Sequence, residues 1–127
     1  MSSWQTLVDD LVASGKVRGA AIISAADGAV WANTPTLVLK AGEGAALVAL
    51  YKNPTLVFSS GVTVCGVTYQ GNKGDERSIR GARSTAGVGL AHTGQAIVIG
   101  CYTAGQIPGE AYNRVEVTAD YLIENGY

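Results

Sequence analysis

The sequence predicts an α+β domain in which an antiparallel sheet is covered by helices. Amphipathic helical patterns occupy both ends of the chain, and the middle consists of short β-rich runs separated by glycine. An Asp27-Gly28 pair between two apolar runs is a strong hairpin signal. With 127 residues, 47% of them hydrophobic, the chain is long enough for one core and too short for two. We therefore expect one domain over residues 1–127.

The first half of the chain is predicted to run helix, hairpin, helix. The first helix has an apolar stripe at helical spacing, formed by Trp4, Leu7, Val8, Leu11 and Val12. Residues 17–24 read as a strand, and residues 29–32 as the returning strand of the hairpin. A short helix is expected over residues 41–52, because the apolar spacing is helical and Asn53-Pro54 would end it.

The second half is predicted to form an antiparallel meander followed by a helix. The expected strands cover residues 62–70, 77–83, 86–91 and 96–103. Hairpin residues at 71–74 and at 93–94 are expected to turn the chain between them. Pro108 suits the first position of a helix, whose periodicity continues to about Asn125. Val117 and Tyr121 fall on the polar side of this helix, which is a modest indication of a binding surface.

Composition excludes several classes of function. The net charge of −1 gives no general field that would attract nucleic acid or an anionic membrane. The apolar stretches are too short to span a bilayer, and no signal peptide is recognisable, so we expect a cytosolic protein. Cys65 and Cys101 lie in apolar, strand-like runs without a Cys-x-x-Cys pair or clustered histidines. We interpret them as reduced, buried thiols and expect neither metal nor cofactor.

Nothing in the sequence indicates catalysis. His92 is the only histidine, and its position beside Thr93-Gly94 favours a solvated loop residue over a member of a catalytic triad. The acidic residues are dispersed and do not suggest a general acid/base pair. We therefore expect that the protein is not an enzyme.

Basic residues are concentrated in one hairpin-sized stretch that contains Lys73, Arg77, Arg80 and Arg83. In a regular strand, Arg77 and Arg83 would share one face and Arg80 would point to the other. Two interpretations explain this stretch equally well: it is either a solvated charged hairpin or a site for an anion or an acidic partner.

The aromatic residues permit two interpretations. Each tryptophan alone fits ordinary core packing. If the terminal helices lie side by side near the hairpin, however, Trp4, Trp31, Tyr121 and Tyr127 would line one groove. A flat aromatic groove with indole and phenol donors suits a polyproline II ligand.

Several segments, taken in chain order, resemble the profilin family. The opening Ser3-Trp4-Gln5-Thr6, followed by Val8-Asp9, is similar to the family's Ser-Trp-Gln-x-Tyr-Val-Asp start. Residues 20–23 and 27–32 are similar to the family's first hairpin, and residues 75–79 with Gly81 to its central strand. Pro108-Gly109 and residues 120–127 are similar to its last helix. The likeness extends from one end of the chain to the other and is closest in style to short plant and protist forms.

The resemblance implies a fold and a set of partners. The fold would be a central antiparallel sheet with the N- and C-terminal helices packed on one face. The function would be that of a cytoplasmic, cytoskeleton-associated regulator that binds monomeric actin, proline-rich formin-like sequences and phosphoinositide headgroups. The alternative is a profilin-like scaffold that binds proline-rich partners but has weak or no actin binding.

The resemblance also implies site residues. The poly-proline groove would be formed by Trp4, Leu7, Trp31, Tyr121 and Tyr127, with Leu7 where the family usually has a tyrosine. The actin-facing surface would include Arg80, Arg83, Asn113 and Val117. Phosphoinositide binding by Arg77, Arg80 and Arg83 would be weak, because Ala82 and Arg83 replace a typical pair of lysines.

Overall fold

The computed structural model describes residues 3–127, which build one seven-stranded antiparallel sheet with helices on both faces. The helices are α1 (Trp4–Ala13), α2 (Glu43–Tyr51), α3 (Val57–Ser60), which follows a 3₁₀ turn (Pro54–Leu56), and α4 (Pro108–Glu124). The strands are β1 (Gly19–Ser24), β2 (Val30–Asn33), β3 (Val62–Val64), β4 (Val67–Gly74), β5 (Ser78–Arg83), β6 (Ala86–His92) and β7 (Ala96–Tyr102). Their order across the sheet is β2-β1-β7-β6-β5-β4-β3. The α+β prediction is therefore confirmed.

The two terminal helices pack on the same face of the sheet, as the resemblance implies. Helix α1 buries Val8 and Leu11, and helix α4 buries the face that includes Val115 and Leu122. These side chains share one apolar cluster with Ile22 and other residues of β1, β6 and β7. The helical periodicity of the sequence thus identified the buried faces of both helices.

The other face of the sheet is covered by α2 and α3. Leu47 and Val57 from these helices are buried in a second cluster with Ile79, Leu90 and Ile99 of the sheet. Helix α3 was not anticipated, because it is only four residues long and has no periodic pattern to reveal it.

The prediction of one strand over residues 62–70 is wrong. The chain reverses at Cys65-Gly66, where both residues have positive φ (56° and 78°), and β3 pairs with β4 around this tight turn. The buried Glu43 carboxylate supports the turn by accepting hydrogen bonds from the main-chain N–H groups of Cys65 (2.8 Å) and Gly66 (2.7 Å). Cys65 is therefore a half-buried turn residue rather than a strand residue, and Cys101 is also only half-buried.

The prediction of a turn at residues 71–74 is also wrong. Strand β4 continues to Gly74 with one irregularity in its pairing, and the reversal lies at residues 75–77. A Cβ on Gly71 would overlap the carbonyl group of Val57, so this glycine allows close packing under α3 rather than a turn. Asp75 makes the actual turn, since its carboxylate accepts hydrogen bonds from the main-chain N–H groups of Arg77 (2.9 Å) and Ser78 (2.6 Å).

The remaining boundaries differ little from the sequence expectations. Strand β1 begins two residues later than expected, and the Asp27-Gly28 hairpin forms with Gly28 at φ 79°. Among residues 3–127, no helix is long and apolar enough to cross a membrane.

Candidate functional site: an aromatic groove between the terminal helices

Trp4 is the centre of an aromatic cluster that joins both ends of the chain to the first hairpin. Its ring centroid lies 4.8 Å from that of Trp31, at an interplanar angle of 41°. Tyr127 meets it from another side, with centroids again 4.8 Å apart and the rings nearly perpendicular at 72°. Such tilted and edge-to-face contacts are the favoured arrangements of aromatic pairs.

The cluster borders an open groove of about 310 Å³ between α1 and α4. We call it the aromatic groove; its lining residues are Ser3, Trp4, Leu7, Tyr121, Leu122, Asn125 and Tyr127. Trp31 stacks on the outer side of Trp4 and is 36% exposed, and Tyr121 is 42% exposed. The structure thus brings together all five residues that the sequence suggested for a poly-proline site.

Helix α1 presents Trp4 and Leu7 to the groove one turn apart. The hydroxyl of Ser3 caps the helix by accepting a hydrogen bond from the main-chain N–H of Thr6 (3.1 Å). Gln5 fixes the helix against β2, since its Nε2 donates to the carbonyl of Asn33 (3.0 Å). The same contact therefore holds Trp4 close to Trp31 on β2.

Tyr127 is anchored by the turn between β6 and β7. Its main-chain oxygen accepts hydrogen bonds from the N–H of Gln95 (2.7 Å) and the hydroxyl of Thr93 (3.0 Å). Its own N–H donates to the carbonyl of Leu122 (2.9 Å). Thr93 and Gln95 could not be predicted as supporting residues from the sequence, because these contacts join positions more than thirty residues apart.

The groove is suited to an extended ligand without hydrogen-bond donors. Flat apolar rings offer stacking area, while the indole N–H groups and phenol O–H groups supply donors for main-chain carbonyls. Leu7 contributes apolar area but no hydroxyl.

The basic stretch is divided between the two faces of the sheet. Arg77 pairs with Glu116 (Nε to Oε1, 3.0 Å) and with Asp120 (Nη2 to Oδ1, 2.9 Å), both on α4. The hydrogen bond that the Arg77 guanidinium donates to Asp120 raises the pKa of Arg77. Arg80 lies on the same side, with its guanidinium 4.6 Å from the ring centroid of Tyr112 and 3.8 Å from Glu116. These two arginines are therefore largely compensated by α4.

Arg83 lies on the opposite face and is exposed. It shares the parity of Ile79 on β5, whose side chain is buried in the cluster beneath α2 and α3. The expectation that Arg77 and Arg83 share a face is wrong, because Arg77 precedes β5 and belongs to the turn made by Asp75.

Asn113 and Val117 are exposed on α4; the helical periodicity indicated this for Val117, and the resemblance implied it for Asn113. Val117 borders a depression on the α1 side of the helix together with Leu7 and Tyr121. Arg80, in contrast, contacts α4 at Tyr112 and Glu116.

His92 and its neighbours have a structural role. His92 is the last residue of β6 rather than a loop residue, and its ring meets Tyr51 edge-on with centroids 5.0 Å apart. The hydroxyl of Tyr51 donates to the carbonyl of Arg77 (3.2 Å), and burial raises the pKa of this phenol far above its ordinary value.

Comparison with known proteins identifies the family. The family model described as Profilin matches residues 2–127. The chain belongs to the profilin family. Profilin-P from Physarum polycephalum is 54% identical over 126 residues, which cover 98% of this chain and 99% of that relative.

Solved profilin structures have the same fold. The crystal structure of Acanthamoeba castellanii profilin II has a TM-score of 0.93 at 42% identity and covers 98% of this chain and 100% of that one. Mouse profilin IIa, solved in complex with a double repeat from the FH1 domain of mDia1, has a TM-score of 0.81 at 22% identity, with 99% and 100% covered. Membership of the profilin family agrees with the expectation that this chain is not an enzyme.

Proposed function

We propose that this profilin binds proline-rich segments, such as those of formin-like proteins, in the aromatic groove. The observation that supports this most strongly is the stacking of Trp4 between Trp31 and Tyr127 beside an open groove. A polyproline II segment is already extended and lacks N–H groups, so it loses little entropy and needs only stacking surfaces and donors. The complex of mouse profilin IIa with an FH1 repeat supports a peptide ligand for this fold.

Octaproline titration tests this proposal. Trp4 lines the groove and Trp31 packs against it, so ligand binding should change their fluorescence in a saturable way. Trp4→Ala should weaken binding by about 2 kcal/mol or more, because it removes the central ring of the cluster. Leu7→Tyr should strengthen binding by adding stacking area and a donor. Val38→Ala, at an exposed valine outside the groove, is the matched control and should bind as the parent does.

We further propose that the protein binds monomeric actin through a surface that includes Asn113 and Val117 on α4, Arg80 against that helix, and Arg83 on the other face at the end of β5. The support is membership of the profilin family together with the exposure of Asn113 and Val117 on α4. Val117 is an exposed apolar residue on the outward side of α4, one turn from the exposed Tyr121, which is typical of a contact surface.

The actin proposal can be tested by charge reversal. The double change Arg80→Glu with Val117→Glu should reduce actin affinity severalfold or more, because it places acidic groups where the partner would meet a cation and an apolar side chain. Lys52→Glu, at an exposed lysine just after α2, is the control. The readout is the rate of nucleotide exchange on monomeric actin. If the parent protein binds octaproline but has no effect on actin, the scaffold alternative is correct.

We also propose weak phosphoinositide binding that involves Arg77, Arg80 and Arg83, in the cytoplasm where such headgroups are exposed. The pairing of Arg77 and Arg80 with carboxylates of α4 supports a low affinity, because those carboxylates compete with phosphate. Arg83→Gln should then reduce the amount of protein that sediments with phosphoinositide-containing vesicles more than Arg77→Gln does. Strong binding that persists at raised salt would contradict this proposal.

A further inference from the structure

Tyr112 of α4 fills a space that two glycines leave open on the sheet. Gly89 of β6 pairs with Arg80 of β5, and a Cβ on Gly89 would lie 2.7 Å from Cδ1 of Tyr112. A Cβ on Gly87 would overlap the ring of Tyr102, which meets Tyr112 edge-on with centroids 5.6 Å apart. The hydroxyls of the two tyrosines hydrogen-bond to each other at 3.2 Å. The Tyr112 ring is therefore fixed from two sides, next to Arg80.

Arg80 lies over the face of this ring. Its Cζ is 4.6 Å from the ring centroid, within the range of a cation–π contact. Burial and the hydrogen bond with Tyr102 raise the pKa of Tyr112, so the ring stays neutral and attracts the cation only through its π face. Within residues 3–127, the only carboxylate within 4 Å of the guanidinium is that of Glu116, whose Oε2 is 3.8 Å from Nη2. That distance is too long for a hydrogen bond.

The Glu116 carboxylate is engaged by other groups. Its Oε1 pairs with Nε of Arg77 (3.0 Å), and its Oε2 accepts a hydrogen bond from the hydroxyl of Ser78 (2.7 Å). Arg77 also donates to Asp120 (2.9 Å), whereas the Arg80 guanidinium donates no hydrogen bond within residues 3–127. The Arg80 side chain is 28% exposed. Arg80 is thus a restrained, partly exposed cation whose N–H groups remain available to a partner.

We propose that Tyr112 is a positioning residue for actin binding, which holds the Arg80 guanidinium in place for a carboxylate of monomeric actin. The inference rests on the proposed actin contact and specifies the chemistry of the partner at Arg80. A guanidinium donates two parallel hydrogen bonds to one carboxylate, which an ammonium group cannot do. Because the ring restrains Arg80 before binding, less side-chain entropy is lost when the contact forms. The nearby Glu116 repels a multiply charged phosphate more than a single carboxylate, which favours an acidic side chain as the partner.

A double-mutant cycle on Tyr112 and Arg80 tests this role. The affinity for monomeric actin is measured from the protein concentration that gives a half-maximal change in nucleotide exchange. Tyr112→Leu removes the ring and should weaken binding about threefold, whereas Tyr112→Phe keeps the ring and should bind as the parent does. Arg80→Gln should weaken binding about tenfold, and Tyr112→Leu should then have no further effect in the Arg80→Gln background.

Arg80→Lys tests the paired hydrogen bonds separately from the charge. Lysine keeps the positive charge but lacks the planar fork, so this variant should bind actin at least about threefold more weakly than the parent. Urea unfolding verifies that each variant is folded. If Tyr112→Leu does not fold, Arg80→Lys still decides, because actin affinity equal to that of the parent would overturn the proposal.

Two further outcomes would overturn the positioning role. One is a loss of actin affinity on Tyr112→Leu that is equally large in the parent and in Arg80→Gln, since the tyrosine would then act independently of the arginine. The other is a Tyr112→Leu variant that keeps its actin affinity but sediments less with phosphoinositide-containing vesicles, which would assign Arg80 to phosphate. If the parent protein has no effect on actin, the proposed actin binding and this inference both fail, whereas actin binding that Tyr112→Leu leaves unchanged defeats this inference alone.

Discussion

Thr93 is predicted to hold the aromatic groove in a binding-competent form although it does not line the groove. Its hydroxyl donates to the main-chain oxygen of Tyr127 (3.0 Å) and accepts from the N–H of Ala96 (2.9 Å). The residue is only 3% exposed, so water cannot replace these partners. The change Thr93→Val keeps the shape of the side chain and removes only the hydroxyl.

The expected cost follows from the groups left without partners. Loss of the hydroxyl deprives the buried Ala96 N–H of its acceptor, and an unsatisfied buried group costs about 1–3 kcal/mol. We therefore expect the free energy of unfolding to fall by about 2 kcal/mol. Tyr127 keeps its hydrogen bond from Gln95 but becomes less restrained. Octaproline affinity should then decrease about threefold or more, because the ligand must order the ring on binding.

Urea unfolding and octaproline titration measure the two effects. Thr68→Val is the matched control, since Thr68 is exposed and its hydroxyl hydrogen-bonds that of the exposed Thr63 (2.9 Å). We expect its free energy of unfolding to change by less than about 0.5 kcal/mol. If Thr93→Val is as stable as Thr68→Val and binds octaproline as the parent does, the turn does not organise the groove.

Two further predictions concern the segment whose turn was misassigned from the sequence. Gly71→Ala should lower the free energy of unfolding by at least about 2 kcal/mol, because its Cβ would meet the rigid carbonyl of Val57. Gly109→Ala is the control and should not destabilise the protein, because a Cβ there meets no atom within 4 Å. Urea unfolding of both variants tests this. Asp75→Asn should be less stable than the parent near neutral pH, because the main-chain N–H of Ser78 lowers the pKa of Asp75 in the folded state. A carboxylate whose pKa is lower in the folded state stabilises the fold only at a pH above its unfolded-state pKa. The difference in unfolding free energy between the parent and Asp75→Asn should therefore shrink as the pH falls below about 4. A difference that grows on acidification would contradict this prediction.

The sequence was most informative where one periodic pattern determines an element. Helical spacing identified the buried faces of α1 and α4, and the Asp27-Gly28 pair identified the first hairpin. The groove aromatics could be named because three of them lie on or next to these helices and Trp31 follows that hairpin.

Glycine limited the prediction in the meander. Gly66 and Gly71 look alike in the sequence, yet Gly66 adopts a positive φ in a turn and Gly71 lies in a strand under α3. Only the packing of a distant helix distinguishes these two uses of glycine. Strand parity failed for Arg77 because alternation applies only within a regular strand, and this residue lies in the preceding turn.

The residues that position the groove side chains could not be predicted from the sequence, for a different reason. The contact from Thr93 to Tyr127 and that from Gln5 to Asn33 join residues far apart in the chain. Local patterns carry no information about such pairs, so the sequence predicted the residues of the groove but not those that position them.

The sharpest test of ligand binding in the aromatic groove is a titration of the parent protein with octaproline, monitored through the fluorescence of Trp4 and Trp31. If Trp4 lines a proline-binding groove with Trp31 packed against it, the signal changes and saturates, and Trp4→Ala removes most of the binding. A fluorescence that stays unchanged at a large excess of octaproline, in both the parent and Leu7→Tyr, would contradict a proline-binding role for the groove. The aromatic cluster would then serve only to pack the two ends of the chain together.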